Sequence, residues 1–215
     1  MLLDMASGLP AQNDRRLVQI VDAALKDVAR RSGEWLVCRR GCTQCCIGPF
    51  PINQLDAWRL RKGLAELERV EPQLAARIRE RARASVERLA PSFPGNPETG
   101  ILDEGEEAER LFADFANDEL CPALNPETGD CELYEARPMT CRVFGPPVRS
   151  EEGLGVCELC FQGASEEEIA ACEMRADPDD LESKLLRELE KKTGLGGNTI
   201  IAFCLADGDD EALSR

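Results

Sequence analysis

The chain has 215 residues, 43% of them apolar and 5% aromatic, with a net charge of −15 at pH 7 and no histidine. The apolar content suffices for a packed core, but so few rings argue against a platform of stacked aromatics, and the negative charge argues against nucleic acid or an anionic membrane as partner. Without histidine there is no His-dependent triad, no imidazole base and no Cys2His2 zinc site, so a metal ligand here is a thiolate, a carboxylate, a backbone oxygen or water.

Residues 1–12 read as a loose start. Asn13 suits the cap of a helix over 13–31, with Leu17, Ile20, Val21, Ala24, Leu25 and Val28 on one face and Gly33 as its stop. The first cysteine group follows in a Gly-containing loop that Pro49 and Pro51 close. Asn53 opens a second helix to about residue 70, and Pro72 fits the first turn of a third, over 72–89. That third helix carries Arg77, Arg79, Arg81, Arg83 and Arg88 against Glu80 and Glu87, a solvated face or a docking surface for an acidic partner. Residues 91–105 read as loop. Nine acids against one base between Glu98 and Glu119 suggest a short acidic helix over 105–117.

The pentapeptide Asn-Pro-Glu-Thr-Gly occurs at 96–100 and again at 125–129. Each copy is turn chemistry, and the second is expected to join strands at 121–124 and 131–134 as a hairpin. Ser165 and Glu168 form a capping box for a helix to about residue 175. Pro178 is expected to start another, with Leu181, Leu185 and Leu189 on one side and Gly194 at its end. Residues 199–205 read as a strand or buried tail.

The eleven cysteines are the most informative feature. The residues from Met1 to Ser7 lack a basic start and a long apolar run, and no stretch approaches the roughly 20 apolar residues of a membrane span. The expectation is a reducing, cytoplasmic setting, where cysteines favour metal binding or redox chemistry over disulfides. Four stand within nine residues, Cys38-Arg-Arg-Gly-Cys42-Thr-Gln-Cys45-Cys46, in a loop with no helix or strand period. Then come Cys121-Pro-Ala-Leu, Gly129-Asp-Cys131-Glu-Leu-Tyr134, Arg137-Pro-Met-Thr-Cys141-Arg-Val-Phe144-Gly, and Cys157-Glu-Leu-Cys160. A single cysteine is often a small buried apolar residue, and Cys172 and Cys204 read that way. Four on tight turns are better read as ligands converging on a soft metal. Residues 37–50 and 136–150 contain arginines and no acid, and nearby cations stabilise thiolates.

The Cys-x3-Cys-x2-Cys-Cys start, the Cys-Pro-x-Leu to Gly-x-Cys-x-x-Tyr segment and the Arg-Pro-x-x-Cys-Arg-x-Phe turn, in that order, resemble the YkgJ-type cysteine-cluster proteins, a family described as zinc- or iron-chelating. The resemblance runs from Cys38 to about Cys160. It implies Cys38, Cys42, Cys45, Cys46, Cys121, Cys131 and Cys141 as ligands, with Cys157 or Cys160 downstream. Arg137 and Arg142 are expected to support them through hydrogen bonds to sulfur or to nearby carbonyls, Pro138 to set the turn that aims Cys141, and Tyr134 and Phe144 to pack around the centre.

The expected fold is mainly helical α+β, one domain over 1–215 with helices around an irregular cysteine-rich core and a small hairpin. A helical and acidic insertion spans 53–118, and a C-terminal helix and tail span 176–215. Adjacent Cys45 and Cys46, and more thiols than one zinc takes, favour an iron–sulfur cluster of the 4Fe–4S type; zinc is the alternative. Three other readings remain: a zinc-stabilised interaction domain, an enzyme using S-adenosylmethionine (suggested by Cys38-x3-Cys42-x2-Cys45 and by the occurrence of a similar domain in flagellin lysine methylases), and a thiol redox protein acting through Cys157 and Cys160.

Overall fold

The computed structural model describes residues 9–150 and 153–206. The first residues of the expected loose start, and the last of the C-terminal tail, lie outside that range. The described residues are mainly helical, with eight α-helices and two antiparallel two-stranded sheets, an α+β arrangement as expected. None of the helices is long and apolar enough to cross a membrane. The chain divides into two compact units, 1–40 with 139–188, and 41–138 with 189–215.

In the first unit, α1 (Leu9–Ser32) buries Leu17, Val21 and Val28 completely or nearly so. It begins upstream of Asn13, because Pro10 fits a first helical turn, where its missing N–H has no partner to lose; the expected Asn13 cap is corrected. α5 (Met139–Val143) packs on α1. β3 (Val148–Ser150) and β4 (Gly153–Gly155) form a hairpin that the sequence did not announce. α6 (Glu166–Ala171) has the expected capping box at Ser165 and Glu168, but it stops before residue 175. α7 (Leu181–Thr193) starts three residues after Pro178, because the Asp177 carboxylate accepts the Leu181 and Glu182 N–H groups at 3.0 and 2.8 Å and so caps the helix there.

In the second unit, Asn53 caps α2 (Gln54–Val70) by accepting the Asp56 N–H, and α3 (Pro72–Leu89) opens on Pro72. β1 (Gly95–Asn96) and β2 (Ile101–Leu102) flank the first Asn-Pro-Glu-Thr-Gly turn, inside what the sequence presented as loop. Both copies of the pentapeptide fold alike. Asn96 and Asn125 each accept two backbone N–H groups through the side chain, and the closing Gly100 and Gly129 sit at φ of +67° and +73°. The acidic helix is shorter than expected, α4 (Glu106–Ala113).

Of the strand or buried tail expected at 199–205, the burial holds and the strand is corrected. Thr199 makes one antiparallel bridge to Ile52, and then the chain turns into α8 (Ile201–Ala206), every residue of which is buried. α8 packs on α2 and α3. Ile201, Cys204 and Leu205 join Leu60, Ile78 and Ala82 in one core, while Phe203 meets Phe93 at a ring separation of 4.4 Å in another. Surroundings apolar on every side favour a fully apolar helix over the weak β-preference of its first residues. Leu205→Ala is expected to lower unfolding stability by about 2–5 kcal/mol, whereas Leu111→Ala, at an exposed position, changes it by less than about 0.5 kcal/mol; urea denaturation of the two variants checks this.

Candidate metal centre

The second unit holds six cysteines, Cys204 on α8 and five others between residues 42 and 131. Gln44–Cys46 form a short 3-10 turn, with the Cys46 N–H on the Thr43 carbonyl at 2.8 Å, so that Cys45 and Cys46 lie in the turn. One antiparallel bridge, Ile47 to Leu120, joins this loop to the segment after α4. The Cys121 N–H donates to the Cys46 carbonyl at 2.9 Å, and the Gly48 N–H to the Glu119 carbonyl at 2.8 Å. The Asn125 turn returns the chain, and Cys131 bridges to Leu124. The expected hairpin is therefore one bridge rather than two strands, and Tyr134 belongs to a 3-10 turn, Tyr134–Ala136. Pro122 has no N–H to offer, and the Leu124 N–H turns back to the Cys121 carbonyl at 3.0 Å instead of crossing to the other segment.

α3 holds this return. Arg81 donates to the Pro122 carbonyl at 2.9 Å and pairs with Glu132, which also accepts from Asn125 at 3.1 Å. Arg79 pairs with Glu68, and Arg88 with Glu119. Much of the arginine-rich face is thus structural.

Cys45, Cys46, Cys121 and Cys131 act on one another electrostatically. A hydrogen bond from Cys46 pulls the Cys45 thiol down to about 6, against an opposing effect of burial and with help from the Arg137 charge. The same bond, then burial, then the charges of Cys45, Cys121 and Cys131 push Cys46 up. Burial raises Cys121 to about 12 and also raises Cys131, where Arg137 partly opposes it. Arg137 is buried, donates to the Tyr134 carbonyl at 2.8 Å and lies 3.8 Å from the Tyr134 ring centre. Cys42, half-buried, lies just ahead of these residues, where Gly41 packs against Gly129.

The first unit carries Cys38, Cys141, Cys157, Cys160 and Cys172. The Cys38 and Cys160 sulfurs are 3.8 Å apart. Two thiolates on one tetrahedral zinc, with Zn–S of about 2.3 Å, stand about 3.8 Å apart. A tight turn places the Cys160 N–H on the Cys157 carbonyl at 2.8 Å, and the Cys157 N–H lies 3.3 Å from the Gly145 carbonyl. Cys141 is on α5, whose Arg142 is fully buried and paired at 2.8 Å with Asp22 of α1. Asp22 was missed in the sequence; an acid bordering the apolar stripe of α1 was the available signal.

The donor set suits zinc or iron in chemistry, and one sulfur pair suits a shared ion in spacing. As the side chains stand, no group of three or more thiols and carboxylates among the described residues forms a ready metal site. Two expectations fail: Tyr134 and Phe144 are 54% and 41% exposed instead of packed around the thiols. Cys204 is a packing residue, its thiol on the Ala57 carbonyl at 3.3 Å, and Cys172 is buried. A narrow cleft lined by Phe50, Ser85, Leu89, Glu119 and Cys121 among others opens beside the second unit's thiols.

In metal-free protein, iodoacetamide labelling of Cys45 should persist down to a half-point near pH 6, because its thiolate survives there. Cys46→Ala removes the donor, and the half-point then moves up toward the ordinary thiol range; mass mapping of the label reads both.

Comparison with curated proteins and with solved structures returns no match. A family profile does match, over residues 37–161, the segment that holds nine of the eleven cysteines. Its CxxCxxCC signature differs here by one extra residue between Cys38 and Cys42. The match covers more than half of the chain, which therefore belongs to the cysteine-cluster family described as "Putative zinc- or iron-chelating domain", the same family that the YkgJ-type resemblance indicated.

Proposed function

We propose that this protein binds metal through cysteine thiolates, that the ligands come from Cys38, Cys141, Cys157 and Cys160 in the first unit and from Cys42, Cys45, Cys46, Cys121 and Cys131 in the second, and that the metal is zinc. The carrying observation is the 3.8 Å between the Cys38 and Cys160 sulfurs. That spacing, which two hydrogen-bonded thiols also adopt, fits two thiolates on one zinc or one mononuclear iron, whereas each iron of a 4Fe–4S cluster takes a single cysteine thiolate. Cys160 is then the downstream ligand beside Cys38, with Cys157 held next to it on the same turn. Thiols that burial keeps protonated release protons as the metal takes their place, so binding draws the loops together and contributes to folding. Arg137 supports the second set by placing its charge beside Cys45 and Cys131. The zinc would be structural or cargo, in a reducing compartment where thiols stay available.

A second reading, an iron–sulfur cluster, is favoured by the neighbouring Cys45 and Cys46 with Cys121 and Cys131 about them. Two adjacent residues reach one small ion with difficulty but can serve a larger inorganic core.

Anaerobic purification with metal analysis and an absorption spectrum separates the two. Colourless protein with zinc is expected; iron, acid-labile sulfide and broad visible absorption favour the cluster; folded protein without metal overturns both. Cys121→Ser and Cys160→Ser are each expected to lower metal content, and Cys204→Ala to leave it unchanged.

A further inference from the structure

Gly145 follows the Cys141-Arg-Val-Phe segment, is buried, and has φ of +121°. A β-carbon built on it would lie 2.6 Å from the Cys38 sulfur, nearer than such atoms approach, and 3.6 Å from Leu36 Cδ1. The Cys38 sulfur therefore fills the space that a side chain at 145 would take. The same peptide is fixed from other directions. Its carbonyl faces the Cys157 N–H at 3.3 Å, the Pro147 carbonyl accepts the Met174 N–H at 2.8 Å, and Arg142, three residues upstream, is anchored on Asp22.

We propose that Gly145 is a positioning residue for the thiol set of the first unit: its bare backbone seats the Cys38 sulfur beside Cys160 while its carbonyl holds the turn that carries Cys157. The proposal rests on the metal-binding reading for its purpose, but the seat itself is a property of this segment with or without metal. Cys38 comes from a loop, and the backbone at 145 lies against its sulfur closely enough to restrain it. A larger residue there displaces Cys38 and leaves Cys160 without its neighbour.

Gly153 is the natural control. It lies in the same unit at φ of +131°, and a β-carbon on it meets nothing within 4 Å, so Gly153→Ala introduces backbone strain without touching a sulfur. The experiment compares Gly145→Ala with Gly153→Ala in the full chain as purified. Limited iodoacetamide labelling is mapped by mass spectrometry, with Cys45 as internal reference. Cys38 is already exposed and Cys160 buried, so Gly145→Ala is expected to raise Cys160 labelling several-fold relative to Cys45 and to lower metal content, whereas Gly153→Ala does neither. Equal Cys160 labelling in the two variants overturns the seat.

A double-mutant cycle measured on chelator-stripped, metal-free protein gives a readout independent of metal. In a Cys38→Ala background the obstructing sulfur is gone, so Gly145→Ala should destabilise less than it does in the wild type. If Gly145→Ala alone fails to fold, the double variant decides: it folds if the sulfur is the obstacle. No relief in that background shows that strain alone rules position 145, and the proposal falls. Wild-type protein that binds no metal yet shows the coupling refutes the metal-binding reading and leaves the seat standing.

Discussion

In the second unit, the segments that carry Cys46 and Cys121 are held together by the Cys121 N–H, which donates to the Cys46 carbonyl at 2.9 Å. Those residues belong to segments far apart in the chain, and closing so long a loop costs conformational entropy that isolated thiol contacts do not recover. The neighbouring bonds from Gly48 to Glu119, and the return turn at Asn125, extend that single connection into a frame. The frame rests on the core of α2, α3 and α8, where Ala123, Leu133 and the β-carbons of Cys121 and Cys131 pack.

Gathering thiols inside a protein sets burial against charge. Burial disfavours thiolates, as the raised Cys121 and Cys131 show, and each ionised sulfur makes the next harder to ionise. The chain responds by letting Cys45 and Cys46 share a proton through their hydrogen bond and by burying Arg137 near Cys45 and Cys131. A divalent cation beside such thiols would answer the same electrostatic problem more completely.

The arginines of α3 show how a pattern on the page acquires meaning only in space. Their abundance reads equally well as a solvated face or a docking surface. Arg79, Arg81 and Arg88 instead reach acids on other segments, and Arg81 and Arg88 tie down the stretches on either side of Cys121. Such pairs contribute modestly to stability when exposed, yet their placement fixes register.

The helices α2 and α3, their Asn53 and Pro72 starts, the Ser165 capping box and both Asn-Pro-Glu-Thr-Gly turns were legible in the sequence, because caps and turns depend on residues a few positions apart. The cysteine groups and the family were legible for the same reason, as local spacings of a rare residue. Tertiary structure decided what local rules cannot weigh. It made 201–206 a helix by surrounding it with apolar neighbours, reduced a hairpin to one bridge, and turned Tyr134 and Phe144 outward. It also divided the cysteines between two units, put the Cys38 sulfur 3.8 Å from that of Cys160, and left no room for a side chain at Gly145. Which thiols stand together depends on distance in space, and a sequence records only distance along the chain.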